Sequence, residues 1–142
     1  AAKTLIMSLG LKTYRIVNED EWERQNSFEN NILMIGDARA NKRVRNIKRK
    51  CRLRQKSFSL DGAIYDKPTD AFFGVFDHPE AAGRVVALYL PLSADYAEIV
   101  AAKITHYGKY SYLAFQNGRN KAKGFWPVET SPLIYRWRET GK

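Results

Sequence analysis

The sequence predicts an α/β fold: one domain over residues 1–142, with helices packed on a mixed β-sheet and a hairpin near the C-terminal end. Apolar runs of strand length alternate with segments of helical periodicity, and turn residues separate them. The apolar content of 44% and the aromatic content of 13% suffice for a core and exceed those of disordered chains. Because the chain begins at Ala1 and not at Met, we expect it to be a fragment of a larger protein.

The first half of the chain predicts two helices and three strands, of which the first two are the short runs Thr4–Met7 and Thr13–Val17. Asn18 precedes an acidic segment, a pattern typical of a short capped helix. The apolar run Ile32–Ile35 predicts a strand that is buried on both faces and ends in a loop. After this loop, an apolar stripe surrounded by basic residues predicts a helix. The stripe consists of Val44, Ile47 and Cys51.

The second half predicts one longer helix and several strands joined by turns such as Asp66–Asp70. Ser93 is the expected N-cap of a helix over about 94–106, which Gly108 ends. Asn117-Gly118 is typical of tight hairpins, so the strands on either side of it are predicted to pair antiparallel. The predicted strands are Ser57–Asp61, which alternates like an edge strand, Ala71–Phe76, Arg84–Leu90, Tyr110–Phe115 and Ala122–Val128.

The net charge of +9 is concentrated in one segment. Ten of the 24 Lys and Arg residues lie there without an acid among them, which leaves 14 cations against 15 acids elsewhere. Because this density exceeds what solubility requires, a basic helix over 39–56 is predicted to contact nucleic acid or another anionic partner. A solvated helix face explains the same charges, and the segment has no aromatic ring on which a base would stack. The basic patch consists of Arg39, Lys42, Arg43, Arg45, Lys48, Arg49, Lys50, Arg52, Arg54 and Lys56.

The sequence contains no recognisable catalytic or metal-binding motif. Cys51 is the only cysteine, which excludes an intramolecular disulfide and a thiolate metal cluster. His-Glu-x-x-His and Gly-x-Ser-x-Gly are absent, so we expect neither a catalytic residue nor a cofactor in this chain. Gly36 lies between a predicted strand and a predicted helix, where α/β folds often bind nucleotides, although the glycine-rich phosphate motifs are missing. No apolar run approaches the roughly 20 residues that span a bilayer, so no membrane span is expected.

The segment from His106 to Asn120 combines a helix end, a tight turn and a hairpin with four aromatic residues. One interpretation is a surface that binds a ligand or a partner. The other, which we favour, is a helix stop and a hairpin whose rings fill the core. The binding interpretation assigns the surface to Tyr107, Lys109, Tyr110 and Arg119.

Two adjoining stretches, GRVVALYLPLSADYAEIVAAKI and HYGKYSYLAFQNGRNKAKGFWP, carry a family resemblance. They resemble the C-terminal accessory region of bacterial aminopeptidase-N-like zinc metallopeptidases, over roughly Ile32 to Val128 and most clearly from Arg84 onward. In such proteins the zinc ligands and the general base lie in a different domain, so none is assigned to this chain. The resemblance implies a module that supports a peptidase, or binds its substrate or the cell envelope, in an exported or periplasmic protein. Without the resemblance, a cytoplasmic location is expected.

Three functional hypotheses follow from these observations. The leading one is a non-catalytic accessory or interaction domain of a larger bacterial peptidase-like protein, whose partners are other domains of that protein or its substrate. The second is a nucleic-acid-binding module that uses the basic helix 39–56. The third is a small nucleotide-binding α/β domain that uses the loop at Gly36.

Overall fold

The computed structural model describes residues 1–24, 29–36, 51–54 and 56–128. Within these ranges the helices are α1 (Ala2–Ser8), α2 (Glu19–Glu23) and α3 (Ala94–Ile104), and a 3₁₀ turn over Thr105–Tyr107 continues α3. The strands are β1 (Ile32–Ile35), β2 (Arg52–Arg54), β3 (Ser57–Leu60), β4 (Ala63–Tyr65), β5 (Ala71–Asp77), β6 (Val85–Pro91), β7 (Tyr112–Gln116) and β8 (Arg119–Gly124). None of the described helices is long and apolar enough to cross a membrane.

The main sheet has five strands in the order β1-β6-β5-β7-β8. β1 runs parallel to β6, and the other neighbours are antiparallel, which confirms the predicted mixed sheet. Asn117 and Gly118 form the turn between β7 and β8 with φ values of 51° and 66°. Positive φ at both central residues is the signature of the type I′ turn, which the Asn-Gly dipeptide predicts.

A second, smaller sheet has the order β2-β3-β4 and is antiparallel throughout. Asp61 and Gly62, with φ values of 49° and 82°, form the turn between β3 and β4. The strand predicted at Ser57–Asp61 is present as β3, but it is not the edge strand that its alternation predicts. β3 is instead the central strand of this sheet, because the short strand β4 returns directly after the Asp-Gly turn.

The main sheet separates two hydrophobic cores. Side chains alternate along β5, so Phe72 and Phe76 point to one face and Phe73 to the other. On one face the core lies against the small sheet and includes Phe58, Tyr65, Phe72, Phe76, Leu88 and Ala114. On the other face it lies against α3 and α1 and includes Leu5, Phe73, Tyr89, Val100, Ile104, Leu113 and Phe115. The result is three layers: helices, main sheet and small sheet.

Tyr89 connects the main sheet to α3. Its ring is fully buried, and its hydroxyl donates a hydrogen bond to the carbonyl of Ala97 in the helix. The first helix joins the same layer, where Leu5 is fully buried and the Thr4 hydroxyl donates to Oε1 of Glu98 at 2.9 Å. Helix α3 therefore has a fixed position on the sheet, and its last turn is fixed with it.

Both strands predicted in the first 17 residues are wrong. Thr4–Met7 belongs to α1, and residues 13–17 have no regular secondary structure. The pattern of a short apolar run is compatible with a strand or with a helix. Here the segment is a helix because Leu5 packs against α3. The capped helix is confirmed, because Oδ1 of Asn18 accepts a hydrogen bond from the Glu21 amide at 2.8 Å. β1 lies at the edge of the main sheet and is only partly buried, not buried on both faces.

The predicted basic helix over 39–56 is wrong at its C-terminal end, where residues 52–54 form β2. Leu53 points inward and its two arginine neighbours are exposed, which is the alternation of a strand. Cys51 is buried in the core between the two sheets, not on a helical stripe. Positions 39–50 lie outside the described residues, as does the tail after Val128.

The free energy of unfolding is expected to fall as the pH rises above 9.0, because burial raises the pKa of the Cys51 thiol from that value to about 12. Burial also raises the pKa values of the Tyr89, Tyr65 and Tyr112 hydroxyls. Nearby acidic side chains raise the pKa values of Tyr65 and Tyr112 further. These groups stay protonated in the fold and ionise earlier in the unfolded chain, so rising pH favours unfolding. Urea unfolding between about pH 7 and pH 10 measures this, and Cys51→Ala is expected to make the pH dependence shallower. A stability that is constant over this range would contradict the raised pKa values.

Candidate binding surface

The end of α3 and the end of β8 bring three aromatic rings and two lysines together. After the 3₁₀ turn, the Tyr110 amide donates to the Tyr107 carbonyl at 3.1 Å. The next amide, from Ser111, donates to the Gly124 carbonyl at 2.8 Å and so ties this turn to the end of β8. We call the resulting group the aromatic–lysine surface: Tyr107, Lys109, Tyr110, Lys123 and Phe125.

Both lysines of this surface lie over tyrosine rings. Nζ of Lys123 is 5.4 Å from the centroid of the Tyr107 ring and 5.2 Å from that of Tyr110. Nζ of Lys109 is 5.9 Å from the centroid of Tyr110. These distances lie within the roughly 6 Å over which a cation is attracted to a ring face. The rings therefore hold both ammonium groups in place without neutralising them.

The rings of the surface connect it to the core. Tyr107 meets Phe115 edge to face, with the centroids 6.0 Å apart, and Phe115 is fully buried. The ring centroids of Tyr110 and Phe125 are 5.4 Å apart, and the Phe125 side chain is 63% exposed. The surface thus has a rigid base in the helix-side core and an exposed apolar ring at its rim.

Arg119, the fourth residue predicted for this surface, lies elsewhere. It pairs with Gln116 at the hairpin end of β8, whereas Lys123 pairs with Leu113 near the other end. Directly opposed residues share a face, and Leu113 belongs to the helix-side core. Arg119 falls on the face of the small sheet, so Lys123 takes the place that the sequence analysis gave to Arg119.

A bulge in β8 brings Lys123 to the helix-side face, whereas Arg119 precedes the bulge and is not moved by it. The register shifts between Ala114 and Phe115, so Ala114 pairs with Ala122 and not with Lys121. One inserted residue reverses the face of every position that follows it. At the bulge, Nδ2 of Asn120 donates to the carbonyls of Ala114 and Ala122 at 3.2 and 2.9 Å, which satisfies groups that the ladder leaves unpaired.

The part of the chain that supplies the surface is basic. Residues 99–128 contain five Lys and Arg and no Asp or Glu. Lys103 donates from Nζ to the Gly118 carbonyl at 2.7 Å and so fixes the hairpin tip on α3. In the part of the chain that the structure describes, the ion pairs are Arg15–Glu21 and Lys67–Asp66, and neither lysine of the surface takes part in one. Within the described residues, the charges of Lys109 and Lys123 are therefore not neutralised by an ion pair.

The remaining predicted sites are described only in part. Of the basic patch, Arg52, Arg54 and Lys56 are described and all three are exposed. Gly36 has a φ of 100° at the end of β1, and its amide donates to the Tyr89 carbonyl at 2.8 Å. This amide already has an acceptor in the main sheet, which weakens the case for a phosphate site at this loop.

The histidines occupy structural or exposed positions. Nδ1 of His78 accepts hydrogen bonds from the amides of Glu80 and Ala81 at 3.1 and 2.9 Å, which organises the loop between β5 and β6. His106 is exposed at the end of α3. Among the described residues, no three His, Cys, Asp or Glu side chains come together in a group that could hold a metal ion.

Comparison of the chain with protein-family models, with curated proteins and with solved structures found no match.

Proposed function

We propose that this chain is a non-catalytic interaction domain of a larger bacterial peptidase-like protein, and that it acts by contacting other domains of that protein. One observation carries the proposal: large apolar side chains are exposed along the segment 7–16. Their exposed fractions are 80% for Met7, 37% for Leu9, 42% for Leu11, 55% for Tyr14 and 58% for Ile16. We call these five residues the apolar segment.

A contact with another polypeptide is the physical reason for such a segment. Single exposed apolar residues are common on soluble proteins, but a run of them marks an interaction site or an aggregation hazard. Complete burial of a fully exposed apolar side chain contributes about 1.5–3 kcal/mol, and covering the exposed part of these side chains contributes a corresponding fraction. The segment begins in the last turn of α1, whose Leu5 is fully buried, so the domain presents these side chains from a fixed base.

The resemblance of residues 83–127 to the accessory region of aminopeptidase-N-like enzymes supports a peptidase-like parent. The reading frame around this chain tests that part of the proposal. We expect a His-Glu-x-x-His motif upstream in the same frame, since the zinc ligands of such enzymes lie in another domain. A start codon and a stop codon that directly flank these 142 codons would overturn the assignment to a larger protein.

Amide hydrogen exchange tests the contact itself. In the full-length parent, amides of residues 9–17 are expected to exchange more slowly than in the isolated chain, because a neighbouring domain covers them. The double variant Leu11→Asp/Ile16→Asp should lower the melting temperature of the parent but not that of the isolated chain. Ile64→Asp, at a residue that is 72% exposed on β4, is the matched control and should change neither. Equal exchange in parent and isolated chain would refute the contact.

Binding of nucleic acid is the second candidate, because the described end of the basic patch presents Arg52, Arg54 and Lys56 to solvent. Titration with fluorescent single-stranded and duplex oligonucleotides at two salt concentrations tests it. A nucleic-acid site predicts an affinity that falls steeply with salt and is lost in a variant with Arg43, Arg45, Lys48 and Arg49 changed to Glu. Absence of binding at low salt would eliminate this candidate.

A further inference from the structure

The aromatic–lysine surface presents two exposed ammonium groups that already contact tyrosine rings. Lys109 and Lys123 are exposed, and tyrosine rings hold their ammonium groups at 5.2 to 5.9 Å from the ring centroids. Ordering a long side chain on binding costs conformational entropy. Because cation–π contacts already restrict these side chains, part of this cost is met before a ligand arrives.

The ring geometry does not favour nucleic acid as the ligand of this surface. Proteins that bind single strands offer a succession of open ring faces on which bases stack. Lys123 lies over the faces of Tyr107 and Tyr110, and Phe125 alone is exposed by more than half. The exposed ammonium groups of Lys109 and Lys123 suit carboxylates, and Phe125 offers an apolar contact beside Tyr110.

Pairing of β8 with β8 of a second copy is unfavourable. The exposed positions of β8 are Arg119, Lys121 and Lys123. Pairing this strand with itself would bring like charges together, which is unfavourable across an interface. A polypeptide with acidic side chains and an apolar residue between them matches both the charge and the exposed ring.

We infer that the aromatic–lysine surface binds an acidic segment of a polypeptide, whose carboxylates contact Lys109 and Lys123 and whose apolar side chain packs on Phe125. This inference rests on the proposed function in one respect, namely that the domain works by contacting polypeptide. It uses a different surface from the apolar segment.

A synthetic peptide of alternating Glu and Asp with a central Phe is the probe, titrated into the chain by fluorescence anisotropy at about 50 and 200 mM salt. The affinity should fall at the higher salt. Lys109→Ala/Lys123→Ala should weaken binding at least about tenfold, since two charge contacts are lost. The matched control Lys3→Ala/Arg84→Ala removes two exposed cations on α1 and before β6 and should leave the affinity within about twofold.

The contact with Phe125 has its own readout. Phe125→Ala should weaken binding of the peptide with the central Phe by about fivefold. It should weaken binding of the same peptide with Ser in place of Phe much less, since only the first peptide loses an apolar contact. An absence of binding at low salt, or equal weakening by both double variants, would overturn the inference. Tighter binding of a single-stranded oligonucleotide, lost in Lys109→Ala/Lys123→Ala, would overturn it in favour of nucleic acid.

The two proposals fail separately. If the peptide does not bind but residues 9–17 are protected in the parent, the proposed function stands and this inference is wrong. If the peptide binds while residues 9–17 exchange equally in both forms, the contact through the apolar segment is wrong and this inference stands.

Discussion

Phe58→Ala is expected to lower the free energy of unfolding by about 3–5 kcal/mol, the range found when buried phenylalanines are truncated. Phe58 is 1% exposed and connects the two sheets. Its ring stacks on the ring of Tyr65 in the small sheet, with the centroids 4.6 Å apart. It also contacts the ring of Phe72 in the main sheet, with the centroids 5.6 Å apart. Alanine would remove both contacts and leave a cavity between the sheets.

Urea unfolding followed by fluorescence measures this loss. Hydrogen exchange should show that amides of the small sheet, Arg52 to Tyr65, lose protection more than those of β6. Ile64→Ala is the control, since Ile64 is a large apolar residue of the adjacent strand and its side chain is exposed. It should change stability by no more than about 0.5 kcal/mol. Similar losses for both variants would contradict a core between the sheets.

Gly74→Val should destabilise the domain by up to about 3 kcal/mol, through overpacking. Gly74 is buried in β5, and a Cβ built there would be 2.6 Å from Cζ of Phe72 and 3.0 Å from Cε2 of Phe76. Both rings lie on the same face as this Cβ and are themselves held in the core. They have no free space into which to move, so the strand or the sheet packing must shift.

Gly108→Ala is the control for Gly74. Gly108 has a φ of −58°, which any residue adopts, and a Cβ there would meet only the Thr105 carbonyl at 3.5 Å. We expect a change within about 0.5 kcal/mol. If Gly74→Val unfolds at the same urea concentration as the unmodified chain, the two phenylalanine rings do not pack over Gly74 as described.

The sequence predicted three of the five residues of the aromatic–lysine surface. Tyr107, Lys109 and Tyr110 are neighbours along the chain, and the structure brings them together as expected for a turn at a helix end. Lys123 and Phe125 were missed, because they reach the surface from the far end of a hairpin. An acid-free stretch over 99–128 was the available signal for them, and the denser basic patch at 39–56 obscured it.

Local chemistry explains the elements that the sequence alone determined. Asn117-Gly118 specifies a hairpin because both residues accept a positive φ, and Asn18 caps a helix through its own side chain. Strong apolar runs specified β5 and β6. Asp61-Gly62 is a turn dipeptide of the same kind as Asn117-Gly118. It therefore also indicates the hairpin between β3 and β4, which was not among the predicted elements.

The tertiary structure alone decided the rest. α1 is a helix because Leu5 and its neighbours pack on α3, a contact between residues almost a hundred positions apart. The bulge at Ala114 and Phe115 puts Lys123 on the face of the tyrosines. Side chains alternate with a period of two along a strand, so one inserted residue exchanges the faces of all that follow. The insertion depends on how β8 pairs with β7, which the spacing of residues in the hairpin does not predict.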